Sequence, residues 1–129
     1  MHLLGNIDED EKVDLLQRAQ VFVHTPVTAS DGGFEGFGIV YLEASAAGTP
    51  ALGTLHCGAE DAIVDGETGL LVEPEPAAVR DALERLLGDA GLRERMGAAG
   101  RVHAARTTWE TNARQVLALY DEVLGDGGR

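Results

Sequence analysis

The chain is short of basic residues. It sets 10 lysines and arginines against 22 aspartates and glutamates, a formal net charge of −12. That balance argues against nucleic acid or an anionic membrane as the main partner, since both attract cationic surfaces. A phosphate site would have to rely on backbone amides and local arginines. Cys57 is the one cysteine, so no internal disulfide forms, which fits a reducing, cytoplasmic compartment. A Cys/His metal site needs paired ligands such as Cys-x-x-Cys. His24, His56 and Cys57 do not supply that spacing, and Cys57 reads as a buried thiol. No apolar run approaches the ~18 residues of a membrane-spanning helix. The start of the chain carries no signal-peptide pattern, and no internal repeat is visible. What is present, 129 residues of which 44% are hydrophobic, suits one globular domain with a real core.

The chain is organised around the run from Glu35 to Pro50. Before it, Val21-Phe22-Val23-His24 is a short apolar run rich in β-formers and predicts a buried strand. A loop follows from Thr25 to Phe34, with Pro26, Asp31, Gly32 and Gly33. Ile39 to Ala47 predicts a helix, closed by Gly48 as its C′ residue and barred from continuing by Pro50. Ala51-Leu52-Gly53 begins the next strand. Strand, loop, helix, strand is the signature of a parallel sheet.

Within that helix, at about 100° per residue, Ile39, Val40, Leu42, Ala46 and Ala47 share one arc, and Tyr41, Ala44 and Ser45 occupy the other. Glu43 falls inside the apolar arc, where a carboxylate is costly unless it accepts hydrogen bonds. Two readings follow. Glu43 is a rim glutamate satisfied by a backbone N–H or an arginine, or it faces a cleft and holds ligand hydroxyls. The preceding loop favours the cleft. Gly36 and Gly38 remove side chains where the backbone enters the helix, so the N–H groups of the first turn point outward and attract an anion. Glu35 sits on the lip. Amide donors for phosphate flanked by two carboxylates for hydroxyls suit a sugar attached to a nucleotide diphosphate.

The rest of the chain alternates in the same way. His2-Leu3-Leu4 predicts a short strand, and Gly5-Asn6-Ile7 turns out of it. Asp8-x-x-Glu11 is a capping box, opening a helix whose buried side is Val13, Leu15, Leu16 and Ala19. Asp8 and Asp10 also offer two carboxylates to a divalent metal, but at a helix start they serve the dipole. Thr54 to Asp65 is mostly loop with a short helical piece. Asp65-Gly66 marks a turn, and Gly69 to Val72 a strand. Pro76 opens a helix with the stripe Val79, Ala82, Leu83, Leu86 and Leu87, ended by Gly88. Leu92 to Ala105 is a second helix, containing Met96. A last helix begins at Thr107, with Glu110 completing a capping box. Its face, Trp109, Ala113, Val116, Leu117, Tyr120 and Leu124, is expected in the core. Gly125 to Arg129 should fray.

Glu35 and Glu43, with seven residues between them, enclose Gly36-Phe37-Gly38. This resembles the Glu-x7-Glu motif of family 4 glycosyltransferases, which have the GT-B fold. The similarity continues through Tyr41-Leu42-Glu43-Ala44-Ser45-Ala46-Ala47-Gly48-Thr49-Pro50. It resumes in Asp65-Gly66-Glu67-Thr68-Gly69-Leu70-Leu71-Val72 and ends near Thr108-Trp109-Glu110. The resemblance implies an α/β fold, a Rossmann-like parallel sheet with flanking helices, with residues 1–129 forming part of the C-terminal, donor-binding domain. It implies a retaining enzyme that transfers sugar from a nucleotide-diphosphate sugar to an acceptor without an essential metal. By the same resemblance Glu35 faces the donor sugar as the catalytic residue, and Glu43 binds the ribose hydroxyls. Gly36, Phe37, Gly38, Ile39 and Asn6 complete the donor site. Where the family often places a Gly-Gly pair, this chain reads His56-Cys57-Gly58-Ala59-Glu60. That departure leaves the sugar open, and neither the acceptor nor the base is legible.

The resemblance also implies that two strands which lie between Leu3-Leu4 and Val21-Phe22-Val23 in the 3-2-1-4-5-6 order have no counterpart here. The acceptor domain and the Arg/Lys pair that neutralises the diphosphate are likewise unmatched. The expectation is a poor enzyme in isolation and a homodimer that relieves exposed strand edges. The alternative is a four-strand monomer in which Leu3-Leu4 pairs directly with Val21-Phe22-Val23. A non-catalytic nucleotide-binding or self-associating α/β module is the other functional reading.

Overall fold

A computed structural model describes residues 1–27 and 36–126. Three parallel strands form one sheet: β1 (Phe22–Val23), β2 (Ala51–Thr54) and β3 (Gly69–Val72), in the spatial order β1-β2-β3. The helices are α1 (Glu9–Arg18), α2 (Ile39–Ala47), α3 (Pro76–Gly88), α4 (Ala90–Arg106) and α5 (Trp109–Asp126), with one 3₁₀ turn at Ala59–Asp61. The expected α/β architecture, parallel sheet with flanking helices, is present.

Side chains alternate across a strand, and this alternation divides the core in two. Phe22, Ala51 and Leu71 face one cluster with Tyr41, Cys57, Ala59, Ala62 and Ile63. Val21, Leu52, Leu70 and Val72 face the other, which α3 and α4 close with Ala82, Leu86, Leu92 and Met96. Register places Ala51 against Gly69 and Leu52 against Leu70. A Cβ on Gly69 would stand 2.3 Å from the Ala51 carbonyl oxygen, so these strands approach only because one residue lacks a side chain. Cys57 is buried, as expected of a lone thiol.

Four expectations are corrected. Leu3 and Leu4 form no strand and are exposed. A strand needs a ladder partner, and β1 pairs with β2 alone among the described residues, so the four-strand arrangement does not occur.

The capping of α1 is as expected, with the Glu11 N–H donating to Asp8 Oδ1 at 2.8 Å. Of its apolar side, however, only Leu16 is buried; Val13, Leu15 and Ala19 are exposed. This helix reaches the core through backbone instead: Thr49 Oγ1 donates to the Leu16 carbonyl at 2.5 Å.

The buried face of α2 is the reverse of the expected one. Tyr41, Ala44 and Ser45 are buried, while Ile39 and Ala46 are exposed. The cause lies in α4. A Cβ on Gly97 would meet the Gly48 carbonyl oxygen at 2.2 Å, and one on Gly100 would meet Ser45 at 3.3 Å. Close helix contact selects the small-residue stripe Ala44, Ser45, Gly48 over the bulkier aliphatic one.

Finally, α5 is not core. Trp109, Leu117, Tyr120 and Leu124 are all exposed, because no sheet face lies beneath them among the described residues. Its cap is Thr108, whose Oγ1 accepts the Thr111 N–H at 3.1 Å, one residue later than expected.

Candidate functional site

In a parallel sheet the strand carboxyl ends share one edge, and ligands settle outside it. Here that edge is built from His24 after β1, the turn after β2, Glu73 after β3, and the amino end of α2, which the chain reaches from β1. Gly38 is the N-cap of α2, with φ 72° and ψ 68° and no side-chain cap. That left-handed conformation is open to glycine and strained for other residues, which explains Gly38 at this entry. Gly36 is exposed, with no neighbour within 4 Å of where its Cβ would be. Phe37 packs against the first core cluster and so anchors the loop. The first turn of α2 therefore begins without a side-chain cap and with the positive pole of the helix behind it, while the Tyr41 N–H is taken by the Gly38 carbonyl at 2.9 Å.

Tyr41 ties this turn to the sheet. Its hydroxyl donates to the His24 carbonyl at 2.7 Å. Its ring meets Phe22 edge-on, with centroids 5.9 Å apart, and His24 at 5.5 Å. Thr54 at the end of β2 donates its hydroxyl to the Pro26 carbonyl, holding the chain after β1 against β2.

Glu43 is half-buried and ion-paired. Lys12 Nζ donates to its Oε1 at 2.9 Å and also sits 2.8 Å from Glu9 Oε2. Of the two readings of Glu43, the structure supplies the partner that the rim reading asks for, but from lysine rather than a backbone N–H or an arginine. Hydrogen bonds to Glu9 and then to Glu43 raise the Lys12 ammonium above its ordinary value, so it stays charged through the neutral range. The pair borders a cleft of about 290 Å³ between α1 and α2, lined also by Val13, Leu16 and Gln17. Because Lys12 engages one carboxylate oxygen, lone pairs of the other can still accept hydroxyls.

The remaining expected residues are dispersed. Ile39 opens α2 with an exposed side chain. Asn6 is exposed on the bend before α1, and no hydrogen bond joins it to α2 among the described residues. Glu35 lies outside the described residues. Asp8, weighed above as half of a metal pair, spends its carboxylate capping α1. Among the described residues no group of three or more His, Cys, Asp or Glu side chains is placed to hold a metal ion. Nor is any described helix long and apolar enough to cross a membrane.

Two residues escaped the sequence reading. Lys12 carries no local signal, because its partner Glu43 lies on a different helix. Tyr41 had one, since Tyr41, Ala44, Ser45 and Gly48 repeat at helical spacing as a small-residue stripe.

Residues 1–103 match the family model described as glycosyl transferases group 1. The chain belongs to this family. Among curated relatives, the D-inositol 3-phosphate glycosyltransferase of Corynebacterium diphtheriae is 43% identical over 90 residues, covering 69% of this chain and 21% of that protein. The phosphatidyl-myo-inositol mannosyltransferase of Mycobacterium leprae is 36% identical over 130 residues, covering 100% of this chain and 33% of that one. The chain thus spans a third or less of these relatives. Among solved structures, sucrose-phosphate synthase from Thermosynechococcus elongatus superposes with TM-score 0.75 at 32% identity, covering 95% of this chain and 30% of that one. WaaG, a glycosyltransferase involved in lipopolysaccharide biosynthesis, superposes with TM-score 0.60 at 30% identity, covering 74% and 25%. Family membership extends across β1, α2, β2, β3, α3 and most of α4, the elements that frame the carboxyl edge.

Proposed function

We propose that this chain is the donor-binding part of a retaining glycosyltransferase that moves a sugar from a nucleotide-diphosphate sugar to an acceptor. The observation that carries the reading is the family match over residues 1–103, which contains the whole Glu-x7-Glu run. The geometry supports it. The uncapped amino end of α2 opens on the sheet's carboxyl edge, and the Glu43 carboxylate stands on the second turn of that helix. Backbone N–H groups from Phe37 to Ile39 receive the sugar and diphosphate, where the helix dipole favours negative charge. Glu43 accepts the ribose hydroxyls beside its bond to Lys12, and Glu35 faces the donor sugar. Charge on the leaving diphosphate is met by amides, without a metal. The family match disfavours a module that only self-associates.

The finer expectations belong to this reading. The single thiol is consistent with a cytoplasmic setting. Homodimer formation through a strand edge is supported by β1, one of the two outer strands of the sheet among the described residues, where Val23 is exposed. Light scattering that finds only monomer at high micromolar concentration removes the dimer.

Calorimetric titration tests the site, with UDP-glucose and GDP-mannose as probes. Glu43→Gln should weaken binding of the accepted nucleotide sugar by ~1–3 kcal/mol, the net worth of a hydrogen bond to a charged group. Unchanged affinity would remove Glu43 from the ribose.

A further inference from the structure

His56 has φ 66° and is the only non-glycine residue with positive φ among the described residues. An L side chain crowds its own backbone in that region, so a bulky residue held there asks for a reason. The turn around it is tied down. The Glu60 carboxylate accepts the His56 backbone N–H. Its own backbone N–H and those of His56, Cys57 and Gly58 hold Glu60 below the usual carboxylate range. The His56 amide is therefore taken by Glu60, and the side chain this turn presents outward is the imidazole. That imidazole is 73% exposed, with Nε2 3.4 Å from Glu73 Oε2.

The place of this pair matters. His56 follows the carboxyl end of β2 and Glu73 that of β3. Cys57 and Ala59, on the same turn, pack in one cluster with Phe37, which leads into α2. The turn that carries His56 thus shares a core cluster with the residue leading into the α2 entry proposed to receive the donor. Residues 24–27, 36–38, 55–68 and 73–75, at this edge among the described residues, contain no lysine or arginine. They do contain Glu60, Asp61, Asp65, Glu67, Glu73 and Glu75. Beside the α2 amides proposed to take the diphosphate, carboxylates of this kind suit the hydroxyls of a neutral sugar. A sugar hydroxyl both donates and accepts, and an imidazole beside a carboxylate offers one partner for each role.

We propose that His56 and Glu73 form a hydroxyl-reading pair that sets which sugar the donor carries. Glu73 accepts from a sugar hydroxyl and His56 hydrogen-bonds a neighbouring one. The left-handed backbone, anchored by Glu60, keeps the imidazole at the rim. Discrimination arises because an epimer whose hydroxyls do not reach the pair forgoes the hydrogen bonds that the matching sugar makes there. The inference rests on the donor-binding reading above and names the residues that select within it.

The test compares this full chain with His56→Gly and Glu73→Gln variants. Calorimetry measures UDP, GDP, UDP-glucose, UDP-galactose and GDP-mannose. Wild type is expected to bind one nucleotide sugar more tightly than its bare nucleotide and its epimer. Each variant should lose about tenfold for that sugar, the worth of a hydrogen bond to a charged group, while affinity for the bare nucleotide stays within twofold. His56→Gly should also raise the melting temperature by a few degrees, since glycine relieves the left-handed strain. Gain of stability with loss of sugar selection is a signature that a purely structural residue would not give. Equal losses for nucleotide and nucleotide sugar, or variants that keep wild-type selection, overturn the pair. So does a wild type that binds nucleotides without sugar preference. A wild type that binds none of the five probes sinks the donor-binding reading itself.

Discussion

Helices α3 and α5 carry the same kind of sequence and meet different fates. Both repeat aliphatic residues at helical spacing. In α3, Ala82 and Leu86 are buried, and Val79 and Leu83 pack beside them against Leu52 and Leu70. In α5, Trp109, Leu117 and Leu124 are 77%, 62% and 76% exposed. The first helix follows β3 and returns across a sheet face; the second meets no sheet among the described residues. An apolar stripe states which side of a helix is to be covered, but the covering surface must come from elsewhere. The same holds for α1, whose Val13 and Leu15 stay exposed while Leu16 is buried against α2.

Four substitutions sharpen the contrast. The largest effect is expected at Gly97. Gly97→Val would push a branched side chain onto the Gly48 carbonyl oxygen, which a bare Cβ already meets at 2.2 Å. Backbone cannot yield as a flexible side chain can, so the loss should be roughly 3 kcal/mol or more by chemical denaturation. A fully stable Gly97→Val would mean that α2 and α4 do not depend on close approach.

Next in size is a matched pair. Leu86→Ala should cost roughly 2–5 kcal/mol, as for a fully buried leucine. Leu117→Ala should stay within about 0.5 kcal/mol. Equal losses would show that α5 is covered in solution and would erase the distinction drawn here.

The smallest effect concerns Glu60, held below its ordinary value chiefly by its own backbone N–H, with further amides of the same turn. A depressed carboxylate contributes stability that is present above its unfolded value, about 4.3. That contribution is lost as pH falls through the lower folded value. Thermal melts of wild type and Glu60→Gln should therefore differ by a constant amount from pH 7 to about pH 5 and converge below about pH 4. A difference that grows on acidification would refute the assignment. Raised Lys12 has the opposite sign, its contribution fading only at strongly alkaline pH.

Much of this molecule was legible in its residues. Val21-Phe22-Val23, Ala51-Leu52-Gly53 and Gly69 to Val72 announced three strands, although Val23 proves exposed rather than buried. Asp8 announced the start of α1, Pro76 that of α3, and Gly48 the end of α2. These features are local, set by dihedral preference, capping and period, and they survive in any tertiary context. The spacing of Glu35 and Glu43 around Gly36-Phe37-Gly38 likewise pointed to the family without coordinates.

What only the tertiary structure decided is which apolar surface finds a partner. Transfer free energy favours burying Ile39, Val40 and Leu42, yet α2 buries Tyr41, Ala44 and Ser45, because Gly97 and Gly100 admit close backbone contact on that side. Leu3 and Leu4 have β-compatible side chains but no neighbouring strand among the described residues to complete a ladder. The partner of Glu43 is Lys12, 31 residues away, a relation no local pattern encodes. The left-handed backbone of His56 and its approach to Glu73, 17 residues on, are likewise absent from any local pattern. Local preference is a property of a few neighbouring residues and can be read in order, whereas burial and ion pairing belong to pairs of surfaces and exist only once the chain has brought them together.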